Sequence, residues 1–431
     1  MDDVIVIGAG PAGLLAAYIA GRRGARVRVL ASGIGTTHVM PGWLGVLHTS
    51  GAARSLPGAL EGWTATHPEH PYALAGLDAL HQGIAALREV CEPAGINYVG
   101  DLRTNLNLPT ALGATIQAAL APESFAAGNL ITPGEILIAG PEGWRDFYPR
   151  LCAENLDRQG FSARGVTFPM PEIKTGRFDV TPQAGTPSGV TPVGLARLFE
   201  QPPIRERVAG YLRARLGGAT RVGLPAVIGL ERHSEAWHDL QDRLGVPVFE
   251  LATLPPSVPG MRLFNAFKQA LARVSIPLLL DMTVARGVVE GNRAGGVVVP
   301  NPSREAIYRA GTVILATGGL YGGGITTDHR GEMREAIFGL PLNVPGDPGD
   351  WFEATFLSHD SPNRVSFPAG RPHAIHLAGV RVSASMQPVD ETGRVIMENV
   401  RVAGRLLAGY DPLGEGSAEG VWLATAHRAA S

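Results

Sequence analysis

The first thirty residues leave this chain few folds to adopt. Val4-Ile5-Val6-Ile7 reads as a short buried strand, and Gly8-Ala9-Gly10-Pro11-Ala12-Gly13 follows it directly. A helical run then spans Leu14 to Arg23, Gly24 punctuates it, and Ala25 to Leu30 reads as a second strand. Strand, glycine-rich turn, helix and strand in that order predict a βαβ unit of the dinucleotide-binding kind. The three glycines act differently. Gly8 permits the tight turn, Gly10 lets backbone approach a pyrophosphate, and Gly13 lets the helix lie close to the strand. Pro11 and Ala12 belong to this turn, and the helix N-terminus beyond it has N–H groups that lack partners and presents roughly half a positive charge to a phosphate. A glycine-rich turn without a ligand is the competing reading, and the turn's place between strand and helix favours the binding one.

Further along, Leu77, Leu80, Ile84, Leu87 and Val90 recur at helical spacing and predict an amphipathic helix. Thr191-Pro192 starts another helical stretch, Leu195 to Leu216, broken at Pro202-Pro203; Ser234 to Leu244 and Gly260 to Val274 are two more. The apolar runs Pro277–Leu280, Val284–Val289 and Gly295–Val299 read as a small β-meander. With 56 glycines and 34 prolines among 431 residues, the chain is a loop-rich α/β protein.

Composition narrows the chemistry. A net charge of −2 argues against a nucleic-acid partner. Cys91 and Cys152 stand apart from any C-x-x-C spacing, which argues against a zinc or iron–sulfur site in this chain. Lys174 and Lys268 are the only lysines, so Schiff-base chemistry has little to work with. Apolar runs fall short of the ~20 residues that span a bilayer, and a strand begins directly after Met1 where a secretory signal would lie. A cytoplasmic protein is expected.

Two later segments sharpen the picture. Thr312 to Leu315 is a buried strand ending in Ala316-Thr317-Gly318-Gly319. Val402-Ala403-Gly404-Arg405-Leu406-Leu407-Ala408-Gly409-Tyr410-Asp411-Pro412-Leu413-Gly414-Glu415-Gly416 leads into a helix from Gly420 to Ala429. Together with the first phosphate loop, these segments resemble the FAD-binding Rossmann-like domain of two-dinucleotide-type flavoproteins. That resemblance implies a late helix whose N-terminal N–H groups, from Gly416 to Gly420, face the flavin's pyrimidine end. His38 with its following glycines, Pro225-Ala226-Val227-Ile228-Gly229, and Thr253-Leu254-Pro255-Pro256-Ser257-Val258-Pro259-Gly260-Met261-Arg262-Leu263 extend the likeness. With Gly409-Tyr410-Asp411-Pro412 they are similar to the B-subunit family of anaerobic glycerol-3-phosphate dehydrogenases, itself related to the succinate dehydrogenase/fumarate reductase group.

The resemblance implies flavin-dependent oxidation of sn-glycerol 3-phosphate to dihydroxyacetone phosphate. It also implies a second flavoprotein subunit and an iron–sulfur, membrane-anchoring subunit that carries electrons towards quinone at the inner face of the cell membrane. The family's flavin is usually given as FMN; the glycine pattern argues for a dinucleotide, so FAD is expected and FMN is the alternative. The acidic residue that normally ends the second strand and binds the adenosine ribose is absent, and Ser32 is its replacement here. His38 lies near the histidine that carries covalent FAD in succinate dehydrogenases, but Gly42 follows it by four residues where the pattern has six. Glu415 is a candidate for the ribityl chain or for a helix cap.

Oxidising a secondary alcohol needs a base for the hydroxyl proton and cations for the substrate phosphate. The segment from Arg364 to Gly379 holds both: His376 is expected as base or anchor and Arg371 or Arg364 on the phosphate, with Arg262 a further phosphate candidate. Arginines that merely cap helices or pair with surface carboxylates are the competing reading. The expected division is an FAD-binding domain of residues 1–98, 252–320 and 395–431, and a cap of residues 99–251 and 321–394. A succinate/fumarate-type oxidoreductase acting on a dicarboxylate, and a non-catalytic or electron-relay flavoprotein, are the alternative functions.

Overall fold

The computed structural model describes residues 1–49, 55–170, 191–300, 305–329, 332–345 and 374–431. Two compact units emerge, one of Met1–Thr37, Gly45–Val90 and Ala266–Ser431, the other of His38–Leu44 and Cys91–Asn265. Residues 321–394, as far as they are described, belong to the first of these.

The first unit is built on a five-stranded sheet in the order Leu278–Leu279, Val27–Leu30, Asp2–Ile7, Ala310–Leu315, Val400–Val402, with every neighbouring pair parallel. Its strands are apolar because both faces are covered; Ile5, Val6, Val29, Ile314 and Val400 are fully buried. Helix Pro11–Arg22 packs against the C-terminal helix Ala418–Ala430. Leu14, Leu15, Val421 and Leu423 lose all solvent contact there, each burial contributing about 1.5–3 kcal/mol. A three-stranded antiparallel sheet, Arg286–Glu290, Arg293–Val299 and Ala306–Tyr308, completes the unit. Asn399 stitches it on: its side chain bonds both the N–H and the carbonyl of Ala294 at 2.8 and 2.9 Å, and also the Gly311 carbonyl at 2.8 Å.

The meander expected around residues 277–299 is therefore corrected. Leu278–Leu279 runs parallel to Val27–Leu30, because Val29 and Ala31 turn their N–H groups to the Pro277 and Leu279 carbonyls, each at 3.0 Å. The third antiparallel strand is Ala306–Tyr308 instead.

The second unit holds a parallel sheet of its own, in the order Val248–Leu251, Ala219–Pro225, Glu135–Pro141, Ala163–Phe168. Helices Pro149–Asp157, Pro192–Phe199, Pro202–Arg213 and His233–Leu244 surround a core that includes Phe168, Phe199, Trp237 and Phe249. The break expected at Pro202-Pro203 is where one helix ends and the next begins, with a proline at each start.

Candidate functional site

Open parallel sheets bind ligands beyond the carboxyl ends of their strands. In the first unit the loop leaving Asp2–Ile7 is the glycine turn. Gly8 has φ +112°, and a Cβ there would collide with the Ala316 carbonyl. A Cβ on Gly13 would strike the Gly8 carbonyl oxygen, so only glycine lets the helix begin this close to the strand. Gly10 caps the helix without a side-chain hydrogen bond, Pro11 opens its first turn, and no atom lies within 4 Å of where a Gly10 Cβ would be. Open space before an uncapped helix N-terminus is a cradle for phosphate. Ala12 packs against Gly404 behind it.

The neighbouring strand ends line the same edge of the sheet. After Val27–Leu30, Ser32 is exposed and Gly35 backs onto the Gly10 amide, where a Cβ would stand 2.6 Å from the nitrogen. Thr37 is wholly buried, and among the described residues its Oγ1 has no hydrogen-bond partner. After Ala310–Leu315, Ala316 donates its N–H to the Ile7 carbonyl at 2.9 Å, Thr317 keeps a buried, unpartnered Oγ1, and Gly318 turns the chain at φ +75°. After Val400–Val402, Arg405 has a shielded Nη1 with no hydrogen-bond partner among the described residues. Each such atom costs about 1–3 kcal/mol until something bonds it. A ligand rich in phosphate and hydroxyl oxygens supplies what these atoms lack, so the residues fit FAD.

The segment from Gly409 to Gly420 is tied down from several sides. Gly409 (φ +84°) donates its N–H to the Leu377 carbonyl at 3.2 Å. Glu415 accepts from the Asp411 amide (2.8 Å), from Ser417 Oγ (2.7 Å) and from His70 Nε2 (3.1 Å). His70 Nδ1 itself accepts the Tyr72 amide at 3.0 Å, which leaves Nε2 as the ring's donor to Glu415. Glu415 therefore sets the loop before the C-terminal helix, and Asp411 adds a turn by accepting the Leu413 N–H at 3.2 Å. Gly416 (φ +66°) lies against His48. Gly420 donates its N–H to the Gly45 carbonyl at 2.9 Å and packs on the Tyr72 hydroxyl, which takes it out of the set of amides expected to face a flavin. Beside it Glu419 accepts the Gly45 N–H at 3.0 Å, and burial pushes its carboxyl up to about 7.

His376 lies in the short helix Ala374–Leu377, its ring 6.2 Å from that of Tyr321 and its carbonyl bonded by Arg405 Nη2 at 2.9 Å. Arg371 and Arg364 lie outside the described residues. Two candidates belong to the second unit. His38 meets Phe264 edge-on at 5.2 Å, its carbonyl accepts the Ser257 N–H at 2.8 Å, and burial lowers its pKa. Arg262 is buried and spent: it forks onto Glu250 at 2.7 and 2.9 Å and donates to the Gly229 and Ile228 carbonyls. It holds structure together, and the phosphate role expected of it is corrected.

Thr37, Arg405 and Glu419 were not legible as site residues. The signal for Arg405 was a cation directly after a buried strand and a glycine; that for Glu419 was a carboxylate in the first turn of a mostly apolar helix.

A parallel sheet with a glycine-cradled helix N-terminus defines a dinucleotide-binding protein, and a family model described as "FAD binding domain" matches residues 3–421. A Halobacterium salinarum protein, named as the probable B subunit of an anaerobic glycerol-3-phosphate dehydrogenase, is 31% identical over 99% of this chain and 96% of its own length. The B subunit of the anaerobic glycerol-3-phosphate dehydrogenase of Yersinia pestis is 29% identical over 98% and 96%. Among solved structures, an E. coli quinol fumarate reductase aligns at 10% identity over 100% of this chain and 69% of its own, with a TM-score of 0.42. The chain belongs to the FAD-binding flavoproteins and, among them, to the B-subunit family of anaerobic glycerol-3-phosphate dehydrogenases. It is an oxidoreductase whose cofactor is FAD.

Proposed function

We propose that this chain oxidises sn-glycerol 3-phosphate to dihydroxyacetone phosphate and passes the electrons towards quinone through partner subunits. The near full-length match to relatives of that name carries the reading. Bound FAD supplies the hydride acceptor. The chain's own groups do the rest. The Gly8–Gly13 turn and the amides opening helix Pro11–Arg22 hold the pyrophosphate, with Ser32 at the adenosine side. Ala316, Thr317 and Gly318 line the neighbouring strand end. Gly409, Asp411, Glu415 and Gly416 shape the loop at the flavin's pyrimidine end. The imidazole of His376 would take the C2 hydroxyl proton of the substrate, the proton that must leave for the alcohol to become a ketone. Arg371 or Arg364 holds the substrate phosphate.

The partners are a second flavoprotein subunit and an iron–sulfur subunit that anchors the complex at the inner face of the membrane; the relatives' designation as one subunit of a larger enzyme supports this. Among the described residues no helix is long and apolar enough to cross a membrane. An anaerobic visible spectrum of the FAD-loaded chain tests the proposal. Bleaching by sn-glycerol 3-phosphate supports it. Bleaching by succinate alone moves the substrate to a dicarboxylate, and no bleaching by either leaves the chain as an electron relay.

A further inference from the structure

Arg405 stands at the carboxyl end of Val400–Val402, next to Ala310–Leu315 in the sheet, in the turn Gly404–Leu406. Two neighbours hold its guanidinium. Nη2 donates to the His376 carbonyl at 2.9 Å, and the Tyr410 side chain lies against it, the ring centroid 5.4 Å from Cζ and the hydroxyl within reach of the arginine. The residue as a whole is half-buried, but among the described residues its shielded Nη1 has no hydrogen bond and no carboxylate pairs with this arginine.

Arg262 shows what a satisfied buried guanidinium looks like here, with Glu250 forked onto it and two carbonyls taking its other protons. Arg405 has the rigidity and lacks the anion. A guanidinium keeps its charge at any pH a protein tolerates, and a buried charged N–H without an acceptor is among the costlier defects a fold can carry. Its forked donors match a phosphate oxygen. At the end of the adjacent strand, Thr317 Oγ1 is a second buried and unpartnered donor.

We propose that Arg405, with Thr317 at the end of the adjacent strand, binds a phosphate oxygen brought by a ligand. The source is either the pyrophosphate of FAD or the phosphomonoester of the substrate; only the second arm rests on the function proposed above. The test uses the full chain with Arg405→Gln and Arg405→Lys. FAD and riboflavin are titrated into deflavinated protein, and inorganic phosphate and sn-glycerol 3-phosphate into FAD-loaded protein, each followed by the flavin spectrum. A charge-assisted contact of this kind is expected to cost roughly tenfold or more in affinity when removed. If the pyrophosphate is the partner, Arg405→Gln weakens FAD by that factor and leaves riboflavin, which has no phosphate, unchanged. If the substrate is the partner, FAD affinity holds while inorganic phosphate and sn-glycerol 3-phosphate both weaken. Arg405→Lys, which keeps the charge and loses the fork, falls between and serves alone should Arg405→Gln not fold. Unchanged affinities for all four ligands, or equal losses for FAD and riboflavin, overturn the proposal. Wild-type protein that binds neither phosphate nor sn-glycerol 3-phosphate would sink the proposed substrate and leave Arg405 to the FAD arm.

Discussion

Glu419 is a carboxyl group whose protonation the fold has displaced, and replacing it with glutamine exposes the energy involved. Burial at the start of the C-terminal helix raises its pKa from 4.5 to about 7, against the opposing pull of the Gly45 N–H. A shift of that size corresponds to about 3 kcal/mol. Part of the side chain remains in solvent, so screening brings the observed value below that ceiling. The direction follows from proton binding. Below the unfolded value of 4.5 both states are protonated and the group costs nothing. Between there and about 7 the folded state holds a proton the unfolded state has released, so stability falls as pH rises. Above that range the penalty is constant. Glutamine keeps an acceptor for Gly45 and never ionises. Urea unfolding of the deflavinated chain should therefore show Glu419→Gln more stable than wild type, by a margin that widens by about 2 kcal/mol between roughly pH 5 and pH 8. A margin that stays flat across this range, or narrows, refutes the reasoning. Tyr72 and Tyr410 lie in the same region, but burial raises both tyrosines further from neutrality, Tyr410 to about 12.

Other outcomes follow from the same geometry. Gly13→Ala forces a methyl group into the Gly8 carbonyl, and the purified variant should carry little or no flavin, measured as the visible-to-ultraviolet absorbance ratio. Arg262→Met leaves Glu250 buried without its counter-charge; a loss of about 3–5 kcal/mol in chemical denaturation is expected, with much of it recovered in the double variant Arg262→Met/Glu250→Leu. Cys91 and Cys152 are buried, and burial raises both thiols, Cys152 to about 12. Neither should react with a thiol reagent at mild alkaline pH until the chain is unfolded, and rapid labelling of native protein would contradict their burial.

What could be read from the sequence was whatever the chain must do locally. The spacing of Gly8, Gly10 and Gly13 is imposed by one turn and one helix start, so it announces itself without reference to distant residues. The paired prolines at 202 and 203 marked a helix boundary for the same reason. Leu278–Leu279 went astray because two apolar residues say nothing about which strand edge they will meet, and the Val29 and Ala31 amides that recruit them lie roughly 250 residues earlier in the chain. The second unit's sheet was hidden likewise: Glu135–Pro141 and Ala219–Pro225 are buried on both sides and show no alternation to separate strand from helix. Arg405 could be named in the sequence as part of a strand–loop–helix motif, but its interest comes from what is missing around Nη1, and absence of a partner is a property of three dimensions. Arg262 failed in the opposite direction, since nothing in its proline-rich surroundings foretold that Glu250 would claim it.

The five-stranded sheet takes its strands from residues 2–30, 278–315 and 400–402. On a ribosome these pieces emerge in that order, with most of the second unit, Cys91–Asn265, translated between the first and the second. That long middle segment can collapse around its own core while Asp2–Ile7 still waits for a neighbour on one side. Only when Val400–Val402 and the helix behind it have been made can Arg405 and the loop at 409–420 take up their places. Flavin therefore has nothing complete to load onto until residues 400–430 have been made. A chain stalled before residue 400 would display an unfinished parallel edge, and such an exposed edge invites pairing with other chains.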